Sequence, residues 1–198
     1  MSITPIYPEI LKALREYFDN KLINVIINND QVNVTIRTEF QQAIMDGKAF
    51  SVGDIFTGVS SGADRYVYFE NPSDSNVKVH MIVIWVVTLA ELHIRIYRDN
   101  TVISAGDQIE PINLNFSSNN RSKIIVYKGG SYSEGRYVKG SVCPGGSHIR
   151  AVGGAVEVGE QVIIPPGNNF LIKITNASAS STDFSFAIVW WEEDLTNQ

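Results

Sequence analysis

Three histidines, a single cysteine and a carboxylate-rich end are the residues of this 198-residue chain whose types could do chemistry. Jelly-roll metalloenzymes of the cupin type and helical zinc proteases space their histidines as H-x-H or H-E-x-x-H, so that two imidazoles reach one ion. His80, His93 and His148 stand in neither spacing. His80 and His93 fall on neighbouring predicted strands, where a hydrogen-bonded pair facing one another is a simpler expectation than a metal site. Gly145-Gly146-Ser147-His148 sets a serine beside a histidine. Neighbours in sequence do not thereby form a nucleophile and its base, and no carboxylate that would orient the base is identifiable. Glu192, Glu193 and Asp194 follow Trp190 and Trp191; they read as a solvated acidic terminus, since a calcium site needs oxygen ligands converging from several segments. The expectation is a protein that is not an enzyme and uses no metal or cofactor.

Recognition is the other chemistry available. Nine of the 15 glycines lie between Lys128 and Gly159, a density that suits tightly turning loops on which a rigid scaffold carries its contacts. Tyr127, Tyr132 and Tyr137 sit in or beside those loops and are the candidate recognition residues, because a tyrosine presents an apolar ring and a polar tip to sugar or protein. Core filling accounts for Trp85, Phe184, Phe186 and one of Trp190 and Trp191. The lone Cys143 has no internal partner for a disulfide and reads as a buried thiol.

The net charge of −5 argues against a surface made for phosphate backbones, and no Lys/Arg cluster offers one. The start of the chain, MSITPIYPEILK, lacks a charged n-region and an apolar h-region, so no secretory signal is expected. The apolar run Met81 to Val87 is far shorter than the roughly 20 residues a membrane-spanning helix needs, and the protein is expected to be soluble.

Strands must position these residues. Along Val77 to Val87, one face holds Val77, Val79, Met81, Val83, Trp85 and Val87, while the other starts with Lys78 and His80 and turns apolar at Ile82, Ile84 and Val86. One end of this strand is therefore expected to meet solvent and the other to be buried on both faces. Leu92, Ile94 and Ile96 alternate with His93, Arg95 and Tyr97, which places Ile94 with Trp85 in one core. Further strands are expected at Ala49 to Gly58, Arg65 to Glu70, Ile109 to Phe116, Lys123 to Tyr127, Gln161 to Ile164, Phe170 to Asn176 and Phe184 to Trp191. Ahead of them, Pro5 and Pro8 lead into a helix over about Glu9 to Asn20, with Ile10, Leu11, Leu14 and Phe18 on one stripe. That stripe either covers the neighbouring core or packs on sister subunits. Leu22 to Ile27 and Gln31 to Arg37 suit a hairpin, and Thr38 to Lys48 a helical turn ending at Asp46-Gly47.

About eight strands joined by Gly, Asn, Pro and Ser turns predict an all-β protein: an antiparallel β-sandwich of jelly-roll type, carrying a short N-terminal helix and hairpin appendage. An immunoglobulin-like sandwich is the alternative, although the Cys, Trp, Cys spacing is missing. The organisation expected is 1–48 as an attachment or oligomerisation segment and 49–198 as the sandwich.

Several stretches carry a resemblance. Glu70-Asn71-Pro72, the long apolar strand after it, Ile96-Tyr97-Arg98 with its polar turn, PINLNF at Pro111 to Phe116, PPGNNFLIKITN from Pro165 and FAIVWWEEDL from Phe186 together resemble a family of small β-sandwich structural proteins of tailed phages and related viruses. The likeness spans roughly residues 50 to 194 and rests on turn and strand residues. It implies a virion location and a capsid decoration, head-fibre, turret or vertex role. The partners implied are copies of the chain itself, with a homotrimer expected, and the major capsid protein or other virion proteins. A carbohydrate- or receptor-binding module, with a host-surface glycan as ligand, is the second class the sequence allows. Neither nucleic acid nor membrane insertion is expected.

Overall fold

The computed structural model of the protein describes residues 22–28, 31–145, 155–156 and 162–195. The predicted helix Glu9 to Asn20, with Ile10, Leu11, Leu14 and Phe18, lies outside them, as do Ser147 and His148. The predicted hairpin is present: β1 (Leu22–Asn28) pairs antiparallel with β2 (Gln31–Arg37), from Leu22 opposite Arg37 to Asn28 opposite Gln31. The short helix α1 (Glu39–Met45) follows. It opens on a capping box in which Gln41 N–H donates to Thr38 Oγ1 and Thr38 N–H donates to the Gln41 side chain, and it ends at Gly47, whose φ of +67° suits a residue without Cβ.

The remaining strands are β3 (Ala49–Val59), β4 (Asp64–Asn71), β5 (Val77–Thr88), β6 (Leu92–Arg98), β7 (Thr101–Ser104), β8 (Asp107–Ile109), β9 (Ile112–Asn113), β10 (Ile125–Lys128), β11 (Ser131–Ser133), β12 (Arg136–Cys143), β13 (Ala155–Val156), β14 (Val162–Ile164), β15 (Asn168–Asn176) and β16 (Thr182–Asp194). One sheet has the order β13-β5-β16-β3-β9, with β14 also on β5; the other is β12-β6-β15-β4-β10-β8. The chain folds back on itself about the β6 to β12 connection. β6 pairs with β12, β5 with β13 and β14, β4 with β15 and β3 with β16, all antiparallel. Successive long strands alternate between the sheets while each pairs with a strand from the other half, which is the jelly roll.

The core between the sheets is filled from both sides. Phe50, Met81, Ile84, Phe184, Ile188 and Trp190 face Phe69, Ile94, Val126, Phe170 and Ile172. Phe69 meets Trp190 edge-on at 5.1 Å between ring centres and stacks on Phe170 at 4.8 Å, geometries that the ring quadrupole favours. Cys143 is buried in the same core.

Trp85 departs from the sequence pattern. It is 43% exposed and Val87 is exposed with it, whereas Ile84 and Val86 are buried. Met81 pairs with Trp190 and Val83 with Val189, so Ile82 has no opposite on β16. This bulge flips the alternation: Val77, Val79 and Met81 face the core before it, and Ile84 and Val86 after it. Ile94 is in the core as expected, without Trp85.

Asparagine side chains close the strand ends. Asn71 donates to the carbonyls of Val77 and Ile164, each at 2.9 Å, and Asn176 to those of Val59 and Ser180, each at 2.8 Å; both residues are fully buried. Asn115 donates to Met45 O, and Asn113 and Asn120 to Gly47 O, so the turn region after β9 grips the end of α1. Glu192 N–H bonds Lys48 O, and Ala43 is buried. The domain boundary expected after Lys48 therefore falls within these contacts.

Candidate recognition face

Alternation on the β4, β6, β10 and β15 sheet sends Val67, Phe69, Ile94, Ile96, Val126 and Ile172 into the core and the residues between them outward. The outward set is rich in tyrosine. Tyr66 and Tyr68 come from β4, Tyr97 from β6, Tyr127 from β10 and Tyr137 from β12, while the β7–β11 ribbon brings in Tyr132. They include every tyrosine among the described residues. Tyr68 stacks on Tyr132 at 4.9 Å and 14°, Tyr66 meets Tyr132 edge-on at 5.8 Å, and Tyr97 meets Tyr137 edge-on at 5.8 Å.

The three candidate recognition residues thus share one face, but not one environment. Tyr137 is 56% exposed, Tyr127 is half-buried on a strand, and Tyr132 is only 6% exposed. The loop exposure expected of Tyr132 is corrected by the β7–β11 pairing, which lays its ring flat on Tyr68. Tyr66 and Tyr97 were not singled out from the sequence; the strand alternation held the signal, since Tyr66, Tyr68 and Tyr97 occupy outward positions of paired strands.

A charged cluster adjoins the rings. Lys173 Nζ lies 2.6 Å from Glu134 Oε1 and 3.1 Å from Asp64 Oδ2, and Thr175 Oγ1 donates to Asp64 at 2.6 Å. The Glu134 hydrogen bond, with the Asp64 contacts, raises the Lys173 pKa against its partial burial, and the same bond holds the Glu134 carboxyl below its ordinary range. Burial pushes the Tyr68 phenol up to about 12, with nearby Glu70 adding to it, and raises Tyr66, Tyr97 and Tyr132 as well. The face therefore offers neutral phenols and a fixed ammonium over the physiological range, groups that donate hydrogen bonds and cover flat apolar surface.

The histidines are kept apart. His80 lies on β5 and His93 on β6, strands of different sheets, so the facing pair expected from sequence does not form. His80 Nε2 is 2.9 Å from Glu193 Oε2 and its ring stacks on Trp191 at 3.9 Å; His93 Nε2 is 3.3 Å from Glu91 Oε1. Among the described residues no group of three or more His, Cys, Asp or Glu side chains is arranged to hold a metal ion, and no helix is long and apolar enough to cross a membrane.

The acidic end is likewise built in. Glu193 bonds Lys78 and His80, Asp194 pairs with Lys48 at 2.9 Å, and Glu192 is 5% exposed on the core side of β16. The solvated terminus expected from sequence is corrected on this point, because β16 runs to Asp194 and alternation carries Glu192 inward beside Trp190.

No family model, curated protein or solved structure matches the chain.

Proposed function

We propose that the protein is a virion structural component, an exposed capsid-associated jelly roll that acts through protein–protein contacts with its own copies and with other capsid proteins. The observation that carries the contact role is the outer face of the β3–β16–β5 sheet. Ile55, Trp85 and Val87 are exposed there around small residues: Ser185 lies opposite Ile55 and Val87, and Ala187 opposite Trp85 and Gly53. An exposed, largely uncharged patch centred on a tryptophan marks a protein contact more often than a solvated surface. The virion assignment rests on the resemblance of the turn motifs, supported by an architecture used in viral capsid domains. Mass spectrometry of purified particles tests it: the chain at stoichiometric copy number supports the reading, and its absence from particles overturns it. Light scattering of full-length protein against Trp85→Asp tests the patch, with a trimer expected for the former and smaller species for the latter.

Glycan recognition on the tyrosine face is a second reading, favoured by the exposed Tyr137 ring set edge-on to Tyr97, whose hydroxyl meets Glu134 of the Lys173–Glu134 pair. Saturable binding on a glycan array that Tyr137→Ala removes supports it. An array without signal for the full-length protein removes it.

A further inference from the structure

A cavity of about 320 Å³ opens between the two sheets at the edge formed by β5 and β14 on one side and β6 and β12 on the other. Two strand irregularities border it. Ile82 is the unpaired residue between Met81 and Val83, and the β12–β6 register shifts between Tyr137 and Lys139, leaving Val138 without an opposite. Such bulges bend a strand locally and part it from its neighbours. The floor is apolar, built from Met81, Ile84, Ile96, Ile164 and Phe170, all buried. The mouth is charged: the exposed Arg98 and Asp99 and the neighbouring Lys139 line the cavity, while the amides of Asn168 and Asn169, which also line it, already donate to Pro166 O and Asn100 O. Arg98 and Asp99 lie 3.4 Å apart with both side chains more than half exposed, a pairing that water screens and an incoming anion displaces at little cost.

The volume lies in the range of roughly 300–1,000 Å³ typical of small-molecule pockets, and an apolar interior with a few polar groups at one end is their usual design. A polar ligand would leave its groups unpaired against Ile96 and Phe170, and a purely apolar one would leave the cationic mouth unused. We propose that this cavity is a binding site for a straight-chain fatty carboxylate, the acyl tail between the sheets and the carboxylate on Arg98 and Lys139. The site is separate from the tyrosine face and from the Trp85 face, so it stands or falls independently of the proposed function.

Titration calorimetry of the full-length protein with octanoate, decanoate and dodecanoate tests the proposal. One ligand per chain is expected, with affinity rising about four-fold per added methylene until the cavity is full. Dodecyltrimethylammonium, and dodecanoate on the Arg98→Glu, Lys139→Glu double variant, are each expected to bind about ten-fold more weakly. Val138→Trp, a change at an exposed position on the rim, is expected to block entry while near-ultraviolet circular dichroism remains native. The proposal is overturned by the absence of saturable dodecanoate binding below its micellar limit. Binding that the cationic amphiphile matches, or that the folded Val138→Trp protein retains in full, overturns it equally.

Discussion

The indole Nε1 of Trp190 donates to Glu192 Oε1 at 3.2 Å inside the core, two residues apart on the same row of β16. Glu192 also accepts from Ser122 Oγ at 2.5 Å and from Lys123 N–H. One buried carboxylate thus holds the segment before β10 against the last strand.

Burial raises the Glu192 pKa, while the Ser122, Trp190 and Lys123 hydrogen bonds pull it the other way. A folded-state pKa above the unfolded value means that the folded chain holds the proton more tightly. The stability this group contributes is therefore present below the ordinary carboxyl range and is lost as pH rises through it to the raised value. Glu192→Gln, which keeps an acceptor and removes the charge, is expected to melt above wild type at about pH 8, the gap closing towards about pH 4. Asp54, Glu134 and Glu193 shift in the opposite direction but are common to both proteins, so the difference isolates Glu192. Glu192→Ala is expected to lose about 1–3 kcal/mol in denaturant titrations, because it strands buried N–H donors. A constant gap between wild type and Glu192→Gln across the pH range would contradict this account.

The two tryptophans on either side of the bulged strand pair separate burial from exposure. Trp190→Ala removes a fully buried side chain and is expected to cost about 3–5 kcal/mol. Trp85→Ala is expected to cost about 1 kcal/mol or less in the monomeric chain, since much of its ring already meets solvent. Ile94→Asp, a charge placed in the core, is expected to abolish folding. Urea unfolding followed by circular dichroism measures the first two, and soluble yield reports the third.

Asn71 and Asn176 are predicted to be structural clamps. Each amide donates to two backbone carbonyls at the strand ends, of which Ser180 O also accepts from Ser178 Oγ, so Asn→Ala at either position is expected to cost about 1–3 kcal/mol. Asn→Asp, which cannot donate, is expected to be no better than Ala at neutral pH. Retention of wild-type melting temperatures by both alanine variants would remove these clamps from the account.

Truncation locates the edge of the sandwich. A chain beginning at Thr38 keeps the α1 capping box, buried Ala43 and the Gly47 carbonyl that Asn113 and Asn120 grip. A chain beginning at Ala49 loses all three and leaves Asn113, Asn115 and Asn120 without those partners. The first is expected to melt several degrees above the second in differential scanning calorimetry, about what 1–2 kcal/mol produces in a domain of this size. Equal melting temperatures would confine the sandwich to residues from Ala49 onward.

The amino-acid sequence by itself determined the all-β class and the faces of the amphipathic strands, but not the stretch Ile109 to Phe116, expected as one strand, where only Ile109 and β9 (Ile112–Asn113) are in strands. In β6, Leu92, Ile94 and Ile96 alternate with polar or half-polar residues, so only one phase buries the apolar set, and that phase is the one found. In β5, Met81 to Val87 is apolar at every position, so either phase satisfies the hydrophobic pattern. The choice fell to the pairing with β16, where the unpaired Ile82 reverses it and turns Trp85 outward. Glu192 follows the same logic: its burial depends on Ser122 and Lys123, about 70 residues away in the chain. Tyr132 is buried because β11 pairs with β7 above Tyr68. Local alternation is a property of neighbouring residues and can be read along the chain. Bulges, buried carboxylates and stacked rings are settled by partners distant in sequence, and only the folded arrangement brings those partners together.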